Sequence, residues 1–467
     1  MAGVLLLFAV TAGPPSGRVS ISFQTPFARK SLEFIQLEEV VARFQAQNPE
    51  IEVRLLPDGP TAPDLITRRT LLRNAPDILE IPLESISGPA GNGTILPVVD
   101  ALSRGGGGNV FAWALRAAEH DRTIRAIPFR ARSVQLIYNG SILRGSRFDP
   151  DNLFLSDWAD LLLACRDIKR LNSERDRWAF GISGRDIEST SRLGMMLVAQ
   201  MDAKVIGVKE KKEKEEEDEK RWGITINSKE EEKGVEALSM VRKLGEYVPP
   251  EALDCSRDDL LREFIAGRVA MFFGDLRDVA RIRAEAPDVD LRVAEAPGKK
   301  LDASYVDFYG GVVNATTRYP ESCKELLTYL CSLETQEMIM KGGPGPPMFS
   351  PVRQEFLGHE WYDDNANYKP FLKALMYPCI NEHASGWTEV QQRVFVPELR
   401  KLIAGETEAT AAAMSIEQLG DQILNTYYGY IDKPRRTATL SRFVLVSVAA
   451  GVVFFLIFFT VGHRPKH

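Results

Sequence analysis

Residues 19–57 read VSISFQTPFARKSLEFIQLEEVVARFQAQNPEIEVRLLP, and the fold class follows from this stretch. VSISF (19–23) alternates like a strand. Leu32, Ile35, Leu37, Val40, Val41 and Phe44 then recur at helical spacing until the turn at Asn48-Pro49, and IEVRLLP (51–57) is a second strand. A helical stretch near Asp64 to Leu72 and a third strand, APDILEIP (75–82), continue the order. This βαβαβ succession predicts an α/β chain with a mostly parallel, doubly wound sheet and a ligand at the strands' C-terminal ends.

Outward from that opening, IRAIPF (124–129) and VQLIYN (134–139) read as strands and DWADLLLACRDI (157–168) as a helix. AKVIGV (203–208) and GITINS (223–228) frame the charged tract KEKKEKEEEDEKR (209–221), and VAMFF (269–273) and YGGVV (309–313) are further strands. The charged tract reads as a solvated hairpin loop or short exposed helix, with an interaction site as the alternative. Gly105 to Gly108 lacks a following Lys-Ser/Thr and reads as a turn rather than a phosphate loop.

Composition narrows the function. The 467 residues carry 58 Lys+Arg against 64 Asp+Glu, a net charge of −6, which argues against a nucleic-acid partner. The length suits two or three compact units. Five cysteines with no CxxC pair and only five histidines predict neither a disulfide framework nor a structural zinc site, and no cofactor is expected. GxSxG and HExxH signatures are absent from the sequence.

Both ends carry membrane signals. FVLVSVAAGVVFFLIFFTV (443–461) is uncharged and apolar on every face; as a helix it spans about 28 Å, enough for a single-pass C-terminal transmembrane anchor with a short tail. Residues 1–17 read as an apolar leader with the h-region of a signal peptide but no preceding Lys or Arg, or else as a short first strand. Lys433, Arg435, Arg436 and Arg442 precede the span and only Arg464 and Lys466 follow it, which by itself places the body inside; a cleaved signal exports it regardless.

Several segments, in order, resemble the extracellular solute-binding proteins of bacterial ABC transporters, in the sugar-binding group that includes maltose-binding protein. They are EEVVARFQAQNPEIEV (38–53), NAPDILEI (74–81), AIPFRARSVQLIYN (126–139), TINSKEEEKGVEAL (225–238), FIAGRVAMFFGD (264–275), the long run from Phe308 to Met340, SPVRQEF (350–356) and SGWTEVQQRVFVPELRKLIAGE (385–406). The resemblance covers about residues 19–425. It implies a two-lobed periplasmic-binding-protein fold of type II, with lobe one from 18–128 and 307–353 and lobe two from 129–306 and 354–432; the membrane anchor read from the apolar run then takes 433–467. It places the hinge near Ile127–Arg130, near Val306–Tyr309 and around Arg353. It also implies ABC permease subunits as partners and an extracytoplasmic body.

Ligand positions follow residue by residue from that resemblance. Phe27 follows the first strand; Glu84 sits past the third, as a hydroxyl acceptor or a plain surface or cap residue. Arg130 and Arg132 follow the first crossing strand. Tyr309, Gly310 and Gly311 lie on the returning strand, where glycine allows close backbone approach. Trp387 matches a family position for a stacking aromatic, with a core role for it and for Tyr309 as the alternative. Three family aromatics are missing: Asp275, Leu276 and Arg277 follow VAMFFG, Val312 follows the glycine pair, and no Trp stands near Pro82. That argues against a long glucan. Arg130, Arg132, Arg277 and Arg353 read either as surface or hinge-bridging residues or as the lining for an anionic or phosphorylated ligand. The leading expectation is a tethered, non-enzymatic protein that captures a sugar, polyol or phosphorylated derivative for import. The rivals are a sensor module signalling to a membrane partner and an enzyme using Glu84 with Asp275 as an acid/base pair.

Overall fold

The computed structural model describes residues 18–426 except 62, 73, 105–108, 152, 173–176, 210–220, 227–231, 299–302 and 380–385. The expected leader (1–17), transmembrane span (443–461), glycine-rich turn (105–108) and most of the charged tract lie outside the described residues. Among the described residues no helix is long and apolar enough to cross a membrane.

Among the described residues fourteen strands form in chain order: β1 Val19–Gln24, β2 Ile51–Leu56, β3 Ile78–Pro82, β4 Glu119–His120, β5 Thr123–Ile124, β6 Ile127–Ser133, β7 Gln135–Asn139, β8 Trp178–Gly181, β9 Ile206–Lys209, β10 Arg221–Ile224, β11 Val269–Gly274, β12 Leu291–Ala294, β13 Ser304–Val313 and β14 Pro378–Cys379. Six make one sheet, ordered β14-β13-β3-β1-β2 with β6 also paired to β13; four make another, ordered β12-β7-β11-β8. The expected mostly parallel sheet is instead mixed. β1 runs parallel to β2 and β3, but β13 is antiparallel to β3 and β6, and β7 is antiparallel to β11 and β12. In the six-stranded sheet the cause is β13, which returns from more than 200 residues beyond β3; in the four-stranded sheet it is β7, which follows β6 directly and runs against β11 and β12.

The helix Leu32–Gln47 shows how local chemistry sets these elements. The Ser31 hydroxyl caps its N-terminus by accepting from Phe34 N–H, and Asn48 closes it. Phe34, Leu37, Val40, Val41 and Phe44 are buried, whereas Leu32 and Ile35 are exposed. Phe34 thus replaces the expected Leu32 and Ile35, because the buried stripe is set by the 34/37/41/44 spacing.

The two sheets are joined by short crossings. Only Val134 separates β6, in the first sheet, from β7, in the second. All ten residues of β13 are buried. Its pairing with β6 shifts register between Tyr309 and Gly310: Tyr309 faces Arg130, Gly310 faces Pro128, and Phe129 is left as the extra residue of a bulge. One hydrophobic core packs under the six-stranded sheet around Phe23, Phe44, Phe129 and Leu327, and runs on through Phe371 to Phe272 and Ile282. A second surrounds Leu136, Trp158, Phe180, Met271 and Phe395. Strand alternation divides the four-stranded sheet between them, Ile137 and Phe272 to one face and Leu136 and Met271 to the other.

Candidate ligand-binding cleft

A cleft of about 480 Å³ opens beside the crossing strands β6 and β13. Pro26 and Phe27 after β1, Thr61, and Pro82 and Glu84 after β3 line one side. Asp186, Ile187, Glu188 and Arg192 at the start of helix Ile187–Gln200, Arg277 of helix Leu276–Glu285, and Thr388, Gln391 and Gln392 line the other. Arg132 of β6 and Tyr305, Asp307 and Tyr309 of β13 form its base. The last three are spaced by two, so the pleat aims all of them at one face.

The base is dense with charge. Arg192 is buried and donates from Nη2 to both Asp307 and Glu188. Burial alone would lower its pKa, but those two carboxylates outweigh it and raise it well above the ordinary value. Glu188, whose side chain is 63% exposed, is held low chiefly by Arg192. Arg132 is 97% removed from solvent, with 3% side-chain exposure, and donates from Nη1 to the Tyr309 hydroxyl at 3.3 Å. Burial pushes the Tyr309 phenol up to about 12, so it stays neutral.

Phe27, Glu84, Arg132, Arg277 and Tyr309 are therefore brought together, and the other expected ligand residues are not. Arg130 lies beneath the cleft, locked to Glu80 by hydrogen bonds from Nε and Nη2 at 2.5 Å each. Asp275 is 1% exposed and caps helix Leu276–Glu285 by accepting from Arg277 N–H at 2.9 Å. Burial would raise its carboxyl, but Arg257, Arg277 and Arg132 hold it well below the usual carboxylate range. It is committed to those arginines and does not line the cleft with Glu84. A Cβ on Gly310 would meet Leu83 Cδ2 at 2.8 Å and the Ile127 carbonyl oxygen at 2.9 Å, and one on Gly311 would meet Leu327 Cδ2 at 2.2 Å. Their missing side chains serve protein packing rather than a ligand. Arg353 donates to the Cys331 carbonyl at the end of helix Pro320–Leu330 and to Glu355. Trp387 is buried against Phe395 at 5.7 Å between ring centroids, while its neighbour Thr388 reaches the cleft.

Sequence reasoning missed Tyr305, Asp307, Asp186, Glu188, Arg192 and Gln391. The alternation of 305, 307 and 309 was available as a signal. Asp186 is visible as a helix cap and Glu188/Arg192 as an i,i+4 pair, but nothing local places that helix end at the cleft.

The profile of the bacterial extracellular solute-binding proteins matches residues 39–370, more than half of the chain. No curated protein matches by sequence. Many solved structures share the fold. The sugar-binding protein MalE of Xanthomonas citri is 17% identical, with a TM-score of 0.70 over 89% of this chain and 99% of its own. UgpB of Mycobacterium tuberculosis in complex with glycerophosphocholine is 15% identical, with a TM-score of 0.69 over 89% and 100%. An ABC transporter solute-binding protein of Thermotoga lettingae bound with α-D-tagatose is 18% identical, with a TM-score of 0.68 over 87% and 100%. With the profile match covering more than half of the chain, including most strands of both sheets and most residues of the cleft, the chain belongs to the bacterial extracellular solute-binding protein family.

Proposed function

We propose that this chain captures a sugar, polyol or related small solute in the cleft and delivers it to the permease subunits of an ABC importer. The observation that carries this reading is that one cavity of about 480 Å³ collects polar side chains from the segments after β1 and β3, from strands β6 and β13, and from the helices Ile187–Gln200 and Leu276–Glu285. Such a cavity closes by rotation about the crossings, and a solute that touches both sides stabilises the closed form by its differential affinity. The bulge at Phe129 and the single residue Val134 supply short, adjustable connections for that rotation. The lobes in this reading are 18–128 with 307–353 and 129–306 with 354–432. Glu84, Asp307 and Glu188 accept solute hydroxyls, while Phe27, Tyr305 and Tyr309 supply the apolar contacts. Ligands named for the structural neighbours, among them tagatose and glycerophosphocholine, are of this size and polarity. The apolar run at 443–461 supports a single-pass tether, with the body on the outer side of the membrane.

Thermal unfolding of the full chain with a panel of sugars, polyols and sugar phosphates tests the proposal. A solute bound only to the native state adds about 2.7 kcal/mol at a hundred times its Kd, a visible rise in Tm. A flat panel from a cooperatively unfolding protein rejects solute capture.

A further inference from the structure

We infer that the solute carries an anionic group, a phosphate, phosphodiester or carboxylate, held between the guanidinium groups of Arg132 and Arg277. This deepens, and rests on, the solute-capture reading above.

Arg132 is the starting point. Its side chain lines the cleft and is 3% exposed, yet Nε and Nη2 have no hydrogen-bond partner among the described residues. The nearest carboxylates are Asp275, 3.7 Å from Nε, and Glu33, 3.9 Å from Nη2. Charge-assisted hydrogen bonds lie near 2.7–2.9 Å, so neither carboxylate satisfies the group. A buried guanidinium with two unmet donors is costly unless something else completes it.

Asp275 is already committed elsewhere. It accepts from Arg277 Nη2 at 2.8 Å and lies 2.9 Å from Arg257 Nη2, in addition to capping its helix. Asp278 is taken up by Arg257 at 2.6 Å through both its oxygens. Three guanidiniums thus converge on Asp275, and Arg277, the second of them to line the cleft, keeps 29% of its side chain exposed. Burial and then the charge of Arg277 lower the Arg132 pKa, a cost that an anion placed between the two guanidiniums would offset.

The rest of the cleft fits this assignment. Arg192 already pairs with Glu188 and Asp307, which neutralises that side. Asp186 accepts from the N–H groups of Glu188 and Ser189 through one oxygen and from the Ser189 hydroxyl at 3.0 Å through the other. The aromatic rings that line the cavity each carry a guanidinium: Arg192 lies 5.5 Å from Tyr305, and Arg132 lies 5.5 Å from Tyr309 and 5.8 Å from Phe27. Each of these rings has a guanidinium on one side, which sets donors for an anion directly beside the apolar contacts of the cleft.

Calorimetric titration of the full chain in mild detergent tests the assignment with matched pairs: glucose 6-phosphate against glucose, sn-glycerol 3-phosphate against glycerol, and glycerophosphocholine and maltose alongside. The expected result is at least one phosphorylated probe binding tenfold or more tighter than its neutral parent, with Arg277→Gln removing that preference. Arg132→Gln should act in the same direction; because it alters a buried cluster, the variant at the more exposed Arg277 is the deciding one. Equal or tighter binding of the neutral parent, unchanged by Arg277→Gln, overturns the anion assignment and leaves solute capture standing. Failure of every probe to bind a folded protein overturns both.

Discussion

The Arg130 guanidinium and the Glu80 carboxylate meet in two parallel hydrogen bonds of 2.5 Å, with side-chain exposures of 4% and 0%. Thr25 adds a third donor to Glu80 at 2.6 Å, so the pair ties the end of β1 to β3 and β6. Removing one partner strands a buried charge. Glu80→Ala is expected to cost about 3–5 kcal/mol of stability in urea unfolding. Solute affinity of the fraction that remains folded should stay within about twofold, because neither residue lines the cleft; a large affinity loss at normal stability would contradict this placement.

Glu84 presents the opposite case. It is exposed and lines the cleft. Glu84→Gln keeps the shape and weakens the acceptor, so solute affinity should fall about tenfold or more while Tm without solute stays near the parent value. Calorimetry beside a thermal melt separates the two effects.

The hydroxyl of Tyr309 is the one hydrogen-bond acceptor found for the Arg132 guanidinium among the described residues. Tyr309→Phe therefore leaves that buried cation with no hydrogen bond in the empty protein. A stability loss of about 1–3 kcal/mol is expected, partly recovered on adding a bound anion. No loss in chemical denaturation would show that another group already satisfies Arg132.

Acid stability should depend on Asp275. Its folded-state carboxyl is held well below the ordinary range, mainly because Arg257 and then Arg277 overcome the effect of burial. For a carboxylate lowered in this way the stabilisation is fully present above the unfolded value near 3.9 and is lost as pH falls through the folded value. Tm measured from pH 7 to pH 3 should fall with acid in the parent protein. Asp275→Asn should begin lower and slope less below about pH 4; parallel curves would refute the assignment.

Removing residues 433–467 tests the tether separately from the cleft. The shortened chain should leave the membrane fraction and appear in the soluble extract of fractionated cells, with solute binding unchanged. Retention in the membrane fraction would show that attachment lies elsewhere.

Much of the fold was legible locally. The opening strand, helix and strand, the antiparallel framing of the charged tract by β9 and β10, and the crossing pair β6 and β7 follow from periods of two and 3.6 and from turn residues such as Asn48-Pro49. The sheet's direction was not, because whether β13 pairs parallel or antiparallel with β3 depends on how a segment more than 200 residues away returns.

The candidate site divides the same way. Sequence order and family resemblance led to Phe27, Glu84, Arg132, Arg277 and Tyr309, and the side-chain alternation of a strand puts Tyr305, Asp307 and Tyr309 on one face. Sequence alone could not separate Arg130 from Arg132, two residues apart on the same face of the same strand. Only tertiary structure sets Glu80 opposite the first, and only tertiary structure leaves two donors of the second without a hydrogen-bond partner beside the cleft. The cause is physical: local patterning determines which way a side chain points, while burial and charge pairing depend on what distant parts of the chain bring to meet it.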